Sequence, residues 1–402
     1  MSQPTDGSTG EQGRGERLEF SDVGLLSPVW AGTLPEALTS DHEIAQAMVV
    51  VEASLQRALR EHDMGPAGRI GTPALDVRRL ARDAVQPGNP TLPLVSALRE
   101  GMSDEDAAAV HHGATSQDVV DSALMLVASS VLERITDELV DLARLLADLA
   151  SEHRGTTCVA RTLTQQAMPT ILGFRVAGWL DGVLDALESV RSCLPLPVSL
   201  GGPVGTAVAY GSAGPAVAAT LARELGLAAP AISWHTNRAP VLHLAACLTE
   251  VGNACGSIAA DLLLMSQTEV GEADDGSAGR SSAMAHKANP TRSVLVVSAA
   301  RQLPGLLATI ASCGLGSSER PAGDWHAEWQ PLRTMLRLAG AAVERTVDIA
   351  EQMSFDVEAM QRNLGTLLSA LDRDDAWAAE QTAHVGVWID RVLARHASVC
   401  PS

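Results

Sequence analysis

Lys287 is the only lysine in a chain that holds 29 lysines and arginines together, and it stands in a short polar stretch, RSSAMAHKANP, residues 280–290. Arginine is a wide, planar, permanently charged fork, whereas lysine is a compact ammonium on a flexible stem that enters narrow sites and shifts its proton affinity when desolvated. A chain that uses arginine everywhere else has kept at 287 the cation best suited to crowd against negative charge. Two further polar stretches have related potential. HHGATSQD, 111–118, places Thr115 and Ser116 at the start of a helical pattern, where free backbone N–H groups and the helix dipole favour an anion. RTLTQQAMP, 161–169, offers Arg161, Thr162, Gln165 and Gln166 as polar contacts. Read singly, these stretches are a linker, a helix cap and a polar turn before a Pro-started helix. Taken singly, those readings suffice.

The bulk of the chain supports a small anion rather than a polyanion. A formal charge of −19 repels nucleic acid and acidic membrane surfaces at long range, so an anionic substrate needs a local cationic site. The six cysteines form no CxxC pair and read as reduced thiols of a cytoplasmic protein. No apolar run approaches the length of a membrane span on this reading, and residues 1–20 read as a disordered tail without a signal core. No His/Cys/Asp group has metal-ligand spacing, and GGPVGT, 201–206, lacks the strand context of a dinucleotide fold, so no cofactor is implied.

The elements that must position these residues are helices. Hydrophobic residues make up 46% of the chain but aromatics only 3%, a core of Ala, Leu and Val suited to close-packed helices and hence to an all-α fold. A helical pattern runs almost unbroken from Thr115 or Ser116 to Gly155, on the order of 50 Å. Comparable patterns span Pro169 to about Cys193, Arg238 to Glu269, Pro290 to about Ser317 with a kink expected at Pro304, and Asp324 to Met353. The expected organisation is an N-terminal helical domain over 21–110, a long-helix bundle over 111–353 and a short C-terminal helical domain over 354–402. Several long helices are apolar around more than one face, which predicts burial against neighbouring subunits.

The three polar stretches resemble, in order and placement, the signature regions of the fumarase/aspartase superfamily. The 280–290 stretch matches a loop of the form GSSxMPxKxNP through Ser281, Ser282, Met284, Lys287, Asn289 and Pro290, and HHGATSQD matches HxGxTSxD. GGPVGT resembles the family's Gly-rich turn, and WHTNR, LLLMSQTEVGE and SSERPAGDWHAEW resemble the 3-carboxy-cis,cis-muconate cycloisomerase branch. The resemblance implies removal of a proton next to a carboxylate, with expulsion of a group from the adjacent carbon or the reverse addition. It assigns the general base to Ser281, whose oxyanion Lys287 and backbone N–H groups would stabilise. Asn289, with Thr115 and Ser116, would hold the delocalised charge. His111 matches the motif histidine as a substrate contact or proton donor, and Arg320, read as paired with Glu319, is a candidate carboxylate ligand. The resemblance also implies a homotetramer whose sites are completed by loops from three subunits.

Departures from the pattern narrow the chemistry. Most superfamily members read THxQ in the second stretch, the histidine helping to protonate a poor leaving group; here Leu163 stands there. A leaving group that is already a weak base needs no such donor. Carboxylate, closing or opening a lactone, fits, and so does nitrite leaving a nitrosuccinate. Arg280, Ala285 and Ala288 replace Gly, Pro and Arg of the branch, and Trp30 replaces an Arg, so the substrate's carboxylates are fewer or differently placed. The leading expectation is a carboxymuconate cycloisomerase type of enzyme on a small polycarboxylate. An elimination lyase releasing nitrite, and an inactive scaffold homologue, are the other readings.

Overall fold

The computed structural model describes residues 23–71, 73–277, 279–280 and 288–401. The expected tail and the loop residues Ser281, Ser282, Met284 and Lys287 lie outside them. Five short or medium helices come first: α1 (Leu34–Leu38), α2 (Asp41–Glu61), α3 (Val77–Asp83), α4 (Thr91–Arg99) and α5 (Asp104–Ala109). Then α6 (Ser116–Glu152) runs 37 residues, about 55 Å. A hairpin of β1 (Thr157–Thr162) and β2 (Gln165–Ile171) leads into α7 (Leu172–Cys193), followed by α8 (Gly214–Leu225) and α9 (Ala239–Met265). After β3 (Ala273–Asp274), β4 (Gly279–Arg280) and β5 (Ala288–Asn289) come α10 (Thr291–Ser312) and α11 (Asp324–Gln352). β6 (Ser354–Phe355), α12 (Val357–Leu371), α13 (Asp375–Thr382) and α14 (Gly386–Val399) close the described chain.

The fold is all-α, its few strands forming two-stranded pairs among the described residues. α6 packs on α2, α7 and α11, while α9 packs on α7, α10 and α11. Leu132, Ile135, Leu139, Leu142 and Leu146 of α6 are fully buried, recurring at the three- and four-residue spacing that lines one side of a helix. Small residues set the closest approach. A Cβ on Gly252 would lie 2.1 Å from Leu303, and one on Gly256 would lie 2.6 Å from Ala300, so these glycines let α9 and α10 touch.

Three expectations are corrected. The second polar stretch is the β1–β2 hairpin rather than a turn before a helix beginning at Pro169; Pro169 sits buried in β2, opposite Val159. The β-branched Thr157, Val159, Thr162, Thr170 and Ile171 favour the extended form there. α10, with Pro304 inside it, ends at Ser312 rather than near Ser317. Finally, α9 and α10 are long and apolar enough to cross a membrane by length and composition. In α9 that stretch is 56% buried within the protein, whereas in α10 it is only 22% buried.

Candidate active site

The start of α6 is built around a buried carboxylate. Asp118 Oδ2 accepts the Thr115 N–H at 3.0 Å and the Gly202 N–H at 2.9 Å, and Oδ1 accepts the Gly201 N–H at 2.7 Å. The His235 Nε2 lies 2.6 Å from the same Oδ1. One side chain thus ties the helix entry to the Gly-rich turn. Gly202 needs its glycine: its φ is +65°, and a Cβ would meet the Gly113 carbonyl at 3.0 Å. One turn along α6, Asp121 grips Arg238 through two bonds of 2.7 and 3.0 Å, and Arg238 in turn holds Glu328 at 2.7 Å. The Trp325 indole N–H donates to Asp121 at 2.9 Å. This buried network joins the N-terminal ends of α6, α9 and α11. Burial raises the Glu328 carboxyl above its usual range even though Arg238 pulls it the other way.

On that frame stand the residues of the first stretch. Thr115 Oγ1 accepts a bond from Arg320 at 2.9 Å, and Arg320 also donates to the Pro203 carbonyl at 3.2 Å. Arg320 therefore ends at the helix entry, and no ion pair with Glu319 is found among the described residues, contrary to expectation. The guanidinium remains exposed, with donors left for a carboxylate. Ser116 is the first residue of α6, its carbonyl accepting from Thr91 at 3.3 Å. His111 sits with φ +60°, its backbone N–H and Nδ1 both bound to the carboxylate of Glu52, at 2.9 and 2.7 Å. Glu52 was not among the expected residues, and an acid inside the apolar run MVVVEASL was the signal for it.

The other two stretches lie at the far end of the bundle. β1 follows α6 by four residues, so the hairpin is separated from Thr115 by the length of that helix, about 55 Å. Next to its tip Arg161 makes a two-pronged bond to the fully buried Glu272, 2.9 and 2.8 Å, and Asn363 donates to the same carboxylate at 2.7 Å. Arg161 is thereby spent on holding the hairpin to the end of α9. Thr162, Gln165 and Gln166 are exposed around a tip formed by Leu163 and Thr164, both with positive φ. Leu163 is 96% exposed, and its alkyl side chain has no proton to give.

The third stretch begins beyond α9, at this same end. Buried Asp275 accepts the Ser293 N–H at 3.0 Å and its hydroxyl at 2.8 Å, capping α10 from outside the helix. β4 and β5 pair Gly279 with Asn289 and Arg280 with Ala288, and Asn289 is half-buried. One protomer therefore brings His111, Thr115, Ser116 and Arg320 to one end. It carries Arg161, Thr162, Gln165, Gln166 and Asn289 at the other. A cavity of about 530 Å³ lined by Cys193, His243, Cys247 and Glu250 lies against α7 and α9, apart from both groups. Among the described residues, no cluster of His, Cys, Asp or Glu could hold a metal ion.

Comparison with known proteins gives this arrangement a family. Residues 94–305 match a family model described as Lyase. The chain is 40% identical over 365 residues to a nitrosuccinate lyase of Streptomyces davaonensis, spanning 85% of this chain and 77% of that protein. It is 36% identical over 355 residues to a 3-carboxy-cis,cis-muconate cycloisomerase of Bradyrhizobium diazoefficiens, spanning 85% and 79%. The chain belongs to the fumarase/aspartase superfamily of lyases. Its fold superposes on the 3-carboxy-cis,cis-muconate lactonizing enzyme of Pseudomonas putida with a TM-score of 0.83 at 28% identity, covering 94% of this chain and 99% of that one. The protein is accordingly an enzyme of the lyase and cycloisomerase kind, near both relatives.

Proposed function

We propose that the protein removes a proton from a carbon next to a carboxylate and expels a weakly basic group from the neighbouring carbon, or runs the reverse addition, in the manner of a 3-carboxy-cis,cis-muconate cycloisomerase. The observation that carries this reading is Leu163. An alkyl side chain stands exposed at the hairpin tip, where most of the superfamily places a histidine that protonates the leaving group. A carboxylate leaving group, as in opening a lactone, departs without that proton. Ser281 serves as base and Lys287 supports its oxyanion. Thr115, Ser116, Arg320, Asn289 and His111 bind the substrate's carboxylates and the charge that develops between them. Ser282, Met284, Thr162, Gln165 and Gln166 line the remaining walls.

The site is shared between subunits. Helix ends about 55 Å apart cannot meet within one chain, and α10, only 22% buried over its apolar stretch, is a surface that partners would bury in a homotetramer. With all six cysteines free, the cytoplasm suits the chain.

A second reading is release of nitrite from nitrosuccinate, favoured by the 40% identity to the Streptomyces enzyme and by the missing cations at 30 and 288. Trp30 is buried and stacks against Arg337 at 4.8 Å, so the tryptophan fills core space and offers no charge to a third carboxylate. Two ultraviolet and colorimetric assays decide between the readings. The leading reading predicts loss of diene absorbance with 3-carboxymuconate; nitrite release from nitrosuccinate alone would transfer the assignment to the second. Failure of both acids would refute the shared chemistry.

A further inference from the structure

Glu52 is a buried acid with one employer. Its side chain, on α2, is 0% exposed, and its hydrogen bonds among the described residues all run to His111. Sequestering a carboxylate from water is costly unless the charge is fully used, and a Leu or Met would pack this face of α2 as well. His111 itself has φ +60°, a conformation that non-glycine residues adopt rarely, and the bond from its backbone N–H to Glu52 helps hold it there. A carboxylate only accepts, so the Nδ1 facing Glu52 Oε1 at 2.7 Å must carry a proton. Nε2 is then the one ring nitrogen left for other work, on a side chain 15% exposed, four residues before Thr115.

We propose that Glu52 is a positioning residue of the active site, fixing His111 in the Nδ1–H form and presenting Nε2 to the substrate. The proposal rests on the reading of His111 as a site residue. Glutamine at position 52 has nearly the same shape but only one acceptor oxygen. That oxygen is claimed by the His111 backbone N–H, which has no other partner here, and the amide NH2 then faces Nδ1. The ring must give up its Nδ1 proton and move it to Nε2, reversing which nitrogen can accept. Aspartate keeps two acceptors but falls short by a methylene.

The test combines a spectrum with a double-mutant cycle, each variant first matched to the parent in helicity and oligomer size. In protein labelled with 15N-histidine, with His111→Gln identifying the resonance, His111 is expected to show a protonated Nδ1 and an unprotonated Nε2. Glu52→Gln is expected to reverse that pattern and Glu52→Asp to preserve it. Turnover of carboxymuconate or nitrosuccinate should fall roughly 10- to 100-fold in kcat/KM with Glu52→Gln, the range for losing a hydrogen bond to a charged group. Glu52→Asp should recover part of it, and Glu52→Gln added to His111→Gln should cost nothing more. An unchanged tautomer in Glu52→Gln, or an equal loss on the His111→Gln background, would overturn the proposal. An inactive His111→Gln enzyme beside a fully active Glu52→Gln enzyme sinks this proposal alone. A fully active His111→Gln enzyme sinks the site reading as well.

Discussion

Replacing Asp118 by asparagine should be far more damaging than the loss of one formal charge suggests. The carboxylate accepts bonds on both oxygens, from Thr115 and Gly202 on Oδ2 and from Gly201 and His235 on Oδ1. An amide presents its NH2 to one of those pairs. Turned toward Thr115 and Gly202, it strands two buried backbone N–H groups. Turned toward Gly201 and His235 it strands one backbone N–H, while the imidazole can offer a lone pair at Nε2 by carrying its proton on Nδ1, a buried nitrogen with no partner among the described residues. The cheaper arrangement costs about 1–3 kcal/mol for the stranded donor, and about 1 kcal/mol for each of the two bonds that lose charge assistance. Relief of the buried charge offsets part of this, leaving about 3 kcal/mol against a typical stability of about 5–15. Urea unfolding followed by circular dichroism measures it, at fixed protomer concentration because an oligomer's apparent stability depends on concentration. Activity should fall further than stability, since Thr115 and the Gly-rich turn come apart. A loss below about 0.5 kcal/mol, the range of an ordinary surface substitution, would refute the reasoning.

Three other perturbations follow from the packing. Arg161→Met leaves Glu272 buried with only Asn363 as partner and should cost about 3–5 kcal/mol in urea unfolding, and Arg161→Lys should recover little because it cannot form the two-pronged bond. Gly252→Ala should lower stability by about 1–3 kcal/mol through the clash with Leu303, and adding Leu303→Ala should cost less than the sum of the two single changes in thermal melts. Burial pushes the Cys158 thiol up to about 11. The folded state thus holds this proton more tightly than the unfolded one, so its stabilising effect is complete below about pH 8.5 and is lost as pH rises from there toward 11. Alkylation of Cys158 at pH 8 should accordingly require unfolding.

The long helices were legible because α6, α9 and α11 hold their apolar spacing over many turns and begin at readable punctuation. The hairpin was not. Its two glutamines and its proline hide the alternation of a strand, and its tip turns through Leu163 and Thr164 at positive φ without the Gly or Asn that marks such turns. The candidate residues of the three stretches were read from motif spacing. Their supports were not, since Glu52, Asp121, Arg238 and Glu328 meet partners 59 to 117 positions away and look locally like ordinary helix residues. Arg161 shows the other limit: its type suited a substrate contact, and only the fold reveals Glu272 beside it.

The account stands on an active site assembled from opposite ends of different protomers, and subunit complementation tests this most directly. Ser281→Ala and His111→Ala proteins, each inactive alone, are mixed, dissociated and reassembled. Random assembly in which each site takes these two segments from different chains restores both native segments in about a quarter of the sites. Recovery near that fraction of parental turnover is the expected result; no recovery from reassembled, correctly sized oligomers would contradict the account.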